Sequence, residues 1–110
     1  MLSKKERLSS SGVLRVLRKG KRAIFGGLKI VALSPAPASQ ASVVVSAKVA
    51  KKATQRNVIR RKVYHIISQI LPNLKTPARL VIYIYWNCSK TSQDEIKQSI
   101  VQCLKKLSLN

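Results

Sequence analysis

The side chains best suited to bind a ligand lie between residues 48 and 61, where cations surround a single Gln-Arg-Asn and no acid occurs. Arginine donates paired hydrogen bonds to phosphate oxygens, and lysine adds a mobile point charge. Such one-sided charge repels itself and contributes nothing to a core, so we expect the compensating negative charge on a partner. The candidate phosphate-binding residues are Lys48, Lys51, Lys52, Arg56, Asn57, Arg60 and Arg61.

The charge of the whole chain points to the same kind of partner. A length of 110 residues suits one small domain, taken as residues 1–110, and the net charge is +19. The only acids are Glu6, Asp94 and Glu95, so internal ion pairs cannot neutralise the lysines and arginines. A charge of this size is typical of nucleic-acid binding, and an anionic membrane surface is the alternative partner.

The scarcity of acids argues against catalysis by the protein itself, because acid-base chemistry and hard metal sites need carboxylates or histidines close together. His65 is the lone histidine and has no carboxylate nearby in the sequence, so we expect a surface residue rather than a catalytic base. Cys88 and Cys103 lack the spacing of a zinc site and are expected to be reduced thiols. We predict no catalytic residue, no metal site and no disulfide.

Targeting signals in the sequence are weak. No apolar run approaches the roughly 18 to 20 residues of a membrane span, and residues 1–22 lack the apolar stretch of a secretory signal. Their arginine and serine content also fits a mitochondrial transit peptide, but a short basic helix belonging to the fold is the favoured interpretation. The predicted location is the cytoplasm.

The first half of the chain predicts one helix and two strands. A serine at positions 9–11 can cap the helix, which is expected to stop at Gly20. Leu28–Leu33 and Ser42–Ala47 are predicted strands, joined by a proline-containing connection and expected to pair antiparallel.

The second half predicts helix, strand and helix. Apolar residues recur at helical spacing over residues 56–71, and Ser92 can cap a last helix with Asp94 and Glu95 at its positive end. The β-prone run between them predicts a central strand with Leu80, Ile82, Ile84 and Trp86 on one face and Val81, Tyr83 and Tyr85 on the other. The order α-β-β-α-β-α predicts an α/β fold of the α+β two-layer type, a small mixed sheet packed by the long basic helix and the C-terminal helix.

The basic segment enters the long helix at its N-terminus, where free N–H groups and the helix dipole attract anions. With about 100° per residue, Arg56 and Arg60 lie on the same side as Val63, so this stripe changes from basic to apolar along the helix. The same step turns Val58 away from Ile59, and we expect Val58 to be exposed. No spacing typical of a helix-turn-helix, zinc finger or basic zipper occurs, which favours RNA over DNA.

The stretch "VVVSAKVAKKATQRNVIRRKV" resembles the signature of the bacterial ribonuclease P protein family. That signature is a strand ending in Val-Ser-x-Lys, a basic loop, and Arg-Asn-Arg-x-(Lys/Arg)-Arg at the start of a long helix. The matching residues are Val45, Ser46, Lys48, Arg56, Asn57, Ile59, Arg60 and Arg61. The N-terminal segment is also similar, with Arg7, Leu8, Val16 and Gly20 in familiar places.

The sequence departs from the family pattern at several positions. Val58 stands where the second arginine of Arg-Asn-Arg lies, and Tyr64 replaces another commonly basic residue. Val13 and Leu17 occupy first-helix positions where the family often has phenylalanine. Candidates for a surface that binds the 5′ leader of the substrate are therefore Arg15 and three aromatic residues that could stack on bases or instead pack in or beside the core, namely Phe25, Tyr83 and Tyr85.

The resemblance implies a compact α/β fold with a left-handed crossover through the Arg-Asn helix. It also implies a protein that binds a catalytic RNA and, with it, removes the 5′ leader of precursor tRNA, the Mg²⁺ ions being held by the RNA subunit and none by the protein alone. No membrane and no stable protein partner are expected. The alternative is a ribosomal or other structural RNA-binding protein. A cationic membrane-active protein is disfavoured, because the apolar residues follow strand spacing and capped helices.

Overall fold

The computed structural model describes residues 6–109. Residues 1–5 of the segment 1–22, for which a transit peptide was the alternative interpretation, lie outside the described part. The fold class is confirmed as α+β, and the element order is α-β-β-β-α-β-α. The elements are α1 (Ser10–Lys19), β1 (Lys21–Phe25), β2 (Leu28–Leu33), β3 (Gln40–Val45), α2 (Ala53–Ile70), a 3₁₀ turn (Leu71–Asn73), β4 (Arg79–Ile84) and α3 (Gln93–Lys106).

The sheet has the strand order β1-β2-β4-β3, with β4 between β2 and β3. β4 pairs antiparallel with β2 and parallel with β3, so the prediction of a central strand is confirmed. The expected direct pairing of the strands at Leu28–Leu33 and Ser42–Ala47 is wrong, because β4 separates them. β4 has a neighbouring strand on each edge and buries four of its six residues, including Leu80, Val81 and Ile82 in a row.

Strand β1 was not predicted from the sequence. It begins with two cations and buries only Ala23, so it carries little of the hydrophobic pattern of a strand. Gly26 and Gly27 join it to β2 with φ values of 59° and 81°. Two consecutive residues with positive φ make the tight turn that matches the twist of a hairpin, so this glycine pair was the missed signal.

The helices cover both faces of the sheet. α2 and α3 pack on one face, where the largest buried strand side chains are Leu28, Ile30, Leu80, Ile82 and Ile84. α1 lies on the other face, where Val16 packs against Val31 and Val81. The alternation predicted for the central strand therefore separates two unequal clusters, and the smaller one leaves part of the α1 face open to solvent.

The ends of α1 and α3 follow the predicted capping. The Ser9 hydroxyl accepts the Gly12 N–H at 3.1 Å, and the Gly20 N–H closes the last turn of α1 on the Val16 carbonyl at 2.7 Å. The Ser92 hydroxyl accepts the Glu95 N–H at 3.3 Å at the start of α3. Side-chain oxygen atoms thus satisfy N–H groups that each helix leaves without an internal partner.

Candidate nucleic-acid interface

The basic segment forms a loop that turns the chain from β3 into α2. The Ser46 carbonyl accepts the N–H groups of Val49 and Ala50, at 3.1 and 3.4 Å, so the chain reverses directly after β3. Lys48, Lys51 and Lys52 are exposed around this turn. α2 begins at Ala53, earlier than predicted, with Lys52 at its N-cap and no side-chain cap.

Arg56 holds this loop in place. Its Nη1 donates hydrogen bonds to the carbonyl oxygens of Ala50 and Lys51, both at 2.9 Å. The side chain is half-buried, and its positive charge strengthens the hydrogen bonds to these two carbonyl oxygens just before the helix. Arg56 therefore fixes the backbone beneath the exposed lysines, a structural contribution that the sequence pattern did not reveal.

Asn57 and Arg60 form a connected pair on the first turns of α2. The Arg60 Nη2 donates to the Asn57 Oδ1 at 2.7 Å, which restrains the guanidinium group at the helix surface. Together with Arg61 and Tyr64, these residues line a shallow depression of about 280 Å³. The structure thus brings three of the candidate phosphate-binding residues around one concave surface. Of the others, Arg56 directly precedes Asn57, and Lys48, Lys51 and Lys52 lie in the loop before α2.

Tyr64 closes part of the exposed edge of the sheet. Its hydroxyl accepts the Val43 N–H at 3.1 Å, and β3 is the strand at that edge. An edge strand leaves alternate N–H groups without a ladder partner, so the tyrosine supplies the missing acceptor. The departure from a basic residue at this position therefore has a local structural reason.

Val58 is exposed, as predicted from the helical step, with 41% of its surface open to solvent. It lies between Asn57 and Ile59 in the sequence, and Ile59 is fully buried. No contact in the core explains a β-branched residue at this position.

Two tyrosines and a lysine form a second polar surface, on the sheet face that carries α1. The rings of Tyr83 and Tyr85 are stacked, with centroids 6.3 Å apart and planes 11° apart. The Lys29 Nζ lies 4.7 Å from the Tyr83 ring centroid and 5.9 Å from that of Tyr85. Ile24, opposite Lys29 in the neighbouring strand, is 63% exposed. We call Ile24, Lys29, Tyr83 and Tyr85 the tyrosine platform.

The other two leader-binding candidates lie apart from the tyrosine platform. Phe25 pairs with Leu28, whose side chain is buried beneath α2 and α3. Because paired residues share a face, Phe25 lies on the α2 and α3 face of the sheet, opposite the tyrosine platform. Arg15 is exposed on α1 and lines two neighbouring depressions with Arg79, of about 520 and 270 Å³. Because β1 was not predicted, the sequence did not show on which face of the sheet Phe25 lies, and only the strand register separates it from the tyrosines.

Groups that could perform catalysis are not clustered in the described chain. Residues 6–109 contain no set of three or more His, Cys, Asp or Glu side chains placed to hold a metal ion. His65 is exposed on α2, near the side-chain amide of Gln69. Cys88 and Cys103 are separate buried thiols, and burial raises the pKa of each. Low thiolate content makes both poor nucleophiles.

Within residues 6–109, no helix is both long enough and apolar enough to cross a bilayer. The fold and its surfaces define a small basic α+β protein with a cationic loop and helix start after β3 and an aromatic platform on the sheet face that carries α1.

Comparison with known proteins identifies the family. The family model described as Ribonuclease P matches residues 2–108. A ribonuclease P protein component of Picosynechococcus sp. is 29% identical over 90 residues, which cover 81% of this chain and 78% of the relative. One from Synechococcus sp. is 29% identical over 115 residues, covering 99% of this chain and 86% of the relative. The chain belongs to the ribonuclease P protein family.

Solved structures share the fold at lower sequence identity. A mutant of the Staphylococcus aureus RNase P protein, described as defective in mRNA degradation activity, matches with a TM-score of 0.83 and 15% identity over 97% of this chain and 92% of its own. The RNase P protein from Thermotoga maritima matches with a TM-score of 0.77 and 20% identity, over 92% of this chain and 96% of its own. These matches confirm the arrangement of helices and strands.

Proposed function

We propose that this protein is the subunit of ribonuclease P that binds the catalytic RNA through the loop after β3 and the first turns of α2. The observation that carries the proposal is the pair formed by Asn57 and Arg60 beside Arg61, at the positions of the family signature. A guanidinium restrained by a neighbouring amide loses little side-chain freedom when it binds a phosphate. The cytoplasm is the location that this function favours.

Charge supplies most of the affinity in this proposal. The lysines and arginines of the loop and helix end neutralise phosphates, and release of condensed counterions contributes to the binding free energy. The backbone N–H groups at the start of α2 have no side-chain cap, which leaves them able to interact with the same anion. Arg56 keeps the loop in the conformation that presents Lys51 and Lys52.

The 5′ leader of precursor tRNA is proposed to bind on the tyrosine platform. Exposed aromatic rings bind single-stranded nucleic acid through base stacking, and an adjacent cation adds attraction for phosphate. Tyr83 and Tyr85 offer two nearly parallel rings, and the Lys29 Nζ lies 4.7 and 5.9 Å from their centroids. Arg15 lies on α1, on the same face of the sheet as the tyrosine platform, and could contact a longer leader. Phe25 lies on the other face and is not proposed to contact the leader.

The chemistry of leader removal is assigned to the RNA subunit. Mg²⁺ bound to that RNA would supply the activated water and charge stabilisation for phosphodiester hydrolysis. The described residues of this chain offer no cluster of metal-ligating side chains. The protein therefore contributes by orienting the RNA, neutralising repulsion between the two RNA molecules, and holding the leader.

Reconstitution tests this function. The purified protein alone is expected to leave precursor tRNA intact, and to stimulate leader removal at low Mg²⁺ when the RNA subunit of the same organism is added. Correct cleavage by the protein without RNA would contradict the division of roles. Binding of RNA without any stimulation would favour the alternative, a ribosomal or other structural RNA-binding protein.

A further inference from the structure

A groove of about 530 Å³ lies between the end of β1 and α3, on the sheet face opposite the tyrosine platform. It is lined by Phe25, Lys97, Gln98, Val101, Gln102 and Lys105. We call it the α3 groove. None of these side chains belongs to the loop or to the first turns of α2, so the functions proposed above leave the α3 groove without a role.

Phe25 is a fixed but accessible aromatic ring at one side of the α3 groove. It is 41% exposed, although large aromatic side chains are usually withdrawn from water. The Lys106 Nζ lies 5.3 Å from the ring centroid and donates a hydrogen bond to the Ile24 carbonyl at 2.9 Å. The strand carbonyl thus holds a cation beside the ring, a combination that suits a stacked base and its phosphate.

The helix side of the α3 groove offers cations and amides. Lys97 and Lys105 are exposed on the same side of α3, about 12 Å apart along the helix axis. The amide groups of Gln98 and Gln102 can donate to and accept from the edges of bases. Asp94 lies one turn before Lys97, so a carboxylate is present only at the N-terminal end of this surface.

The composition of the α3 groove argues for a nucleic acid rather than a protein. Its apolar side chains are only Phe25 and Val101, which is little for a protein interface with a hydrophobic core. A second copy of this chain would bring another net charge of +19 and would be repelled. A negatively charged strand with exposed bases complements both the lysines and the ring.

We propose that the α3 groove binds a single-stranded segment of the RNA subunit, with one base stacked on Phe25 and phosphates beside Lys97 and Lys105. The proposal rests on the function proposed above. α3 packs in the same layer as α2, whose first turns are the proposed main contact with that RNA. The substrate leader, on the tyrosine platform, is separated from the α3 groove by the thickness of the sheet.

The test measures binding of the isolated RNA subunit, without substrate, at several salt concentrations. Lys97→Gln and Lys105→Gln are each expected to reduce the slope of log affinity against log salt by about 0.7, the value per phosphate for single strands. Lys75→Gln, which removes one exposed lysine elsewhere, is the matched control and should leave the slope unchanged. Equal slopes for all three variants and the wild type would overturn the proposal.

Variants at Phe25 test the stacked base. Phe25→Leu is expected to lower the affinity about five-fold or more at constant salt slope, and Phe25→Trp should retain wild-type affinity. Thermal unfolding of each variant separates a binding effect from a loss of stability. Equal affinity for the leucine and tryptophan variants, or a loss seen only when precursor tRNA binds the assembled enzyme, would contradict stacking on the RNA subunit.

Tethered cleavage locates the contact directly. A cleavage reagent attached to Gln98→Cys should cut the RNA subunit at a discrete single-stranded site, whereas one attached to Lys75→Cys should not cut there. Cys88 and Cys103 are fully buried and are expected to remain unlabelled. The Arg60→Ala/Arg61→Ala variant is measured in parallel. If it weakens RNA binding and the α3 groove variants do not, the α3 groove proposal fails and the proposed function stands. If the wild-type protein does not bind the RNA subunit, the proposed function itself fails.

Discussion

The starts of α2 and α3 both leave backbone N–H groups without a partner inside the helix, but only α3 has a side-chain cap for them. Both helices follow the carboxyl ends of neighbouring parallel strands, β3 and β4. α3 is capped by Ser92 and carries Asp94 and Glu95 in its first turn, so its dipole is compensated within the chain. α2 has no side-chain cap and no acid in its first turn. This difference supports the proposal that the positive end of α2 binds an anion of the RNA, whereas the start of α3 is stabilised within the chain.

The largest expected effect comes from removing the two arginines that are proposed to bind RNA phosphates at the start of α2. Arg60→Ala/Arg61→Ala should weaken binding of the RNA subunit by about 1.5 to 3 kcal/mol per lost contact, because each arginine would otherwise pair with a phosphate. The salt slope should fall by about one unit per lost contact. Titration of labelled RNA at several salt concentrations measures both quantities.

The matched control for that variant is Lys21→Ala/Lys75→Ala, which removes the same number of exposed charges outside the loop and α2. Its affinity should fall much less. A lower melting temperature with unchanged RNA affinity for Arg60→Ala/Arg61→Ala would instead assign these arginines to the fold.

Val58→Arg sharpens the comparison by adding a cation to the uncapped helix start. Since Val58 is exposed and makes no core contact, the substitution should leave the fold intact. If the RNA retains a phosphate at the family position, affinity should rise by up to about 1 to 2 kcal/mol and the salt slope by about one unit. Equal affinity and parallel salt dependence for the two proteins would show that this side of α2 does not meet RNA.

Lys52→Ser gives α2 the kind of cap that α3 already has. A serine hydroxyl at the N-cap should stabilise the protein by about 1 kcal/mol, because it accepts an N–H that is otherwise without a side-chain partner. RNA affinity should fall at the same time, since a cation is lost and an N–H is occupied. Chemical denaturation and RNA titration measure the two effects, and a gain in both would contradict a trade between capping and binding.

Ser92→Ala makes the reverse change at α3. Loss of the hydrogen bond from the Glu95 N–H should destabilise the protein by about 1 kcal/mol. Affinity for the RNA subunit should be unchanged, because Ser92 lies outside both proposed RNA contacts. A reduced affinity at equal stability would mean that the start of α3 also touches RNA.

Periodicity was sufficient for the elements that bury a regular apolar pattern. The helical spacing of Ile59, Val63 and Ile67 predicted the inner side of α2, and all three are fully buried. The alternation in β4 predicted its two faces, and its bulky, β-prone side chains predicted its central place. Capping residues predicted the starts of α1 and α3, since Ser9 and Ser92 act through contacts with residues close in sequence.

The same local information failed for β1 and for the pairing of β2 with β3. β1 buries one residue and is stabilised by hydrogen bonds to β2, so its strand structure depends on a partner more than on its own pattern. The insertion of β4 between β2 and β3 joins residues distant along the chain, such as Ala41 and Leu80. No short window of sequence contains such a contact.

The sequence by itself determined the charge, the absence of acids between Arg7 and Gln93, and the basic segment at the start of a long helix. These properties depend on residue type and on spacing within one element. Only the tertiary structure decided that Tyr83 and Tyr85 share a surface with Lys29, that Phe25 lies on the opposite face with Lys106, and that Tyr64 closes the edge of β3. Those contacts are set by strand register and by which helix covers each face, because a side chain can reach only the neighbours that the packed sheet brings within a few ångströms.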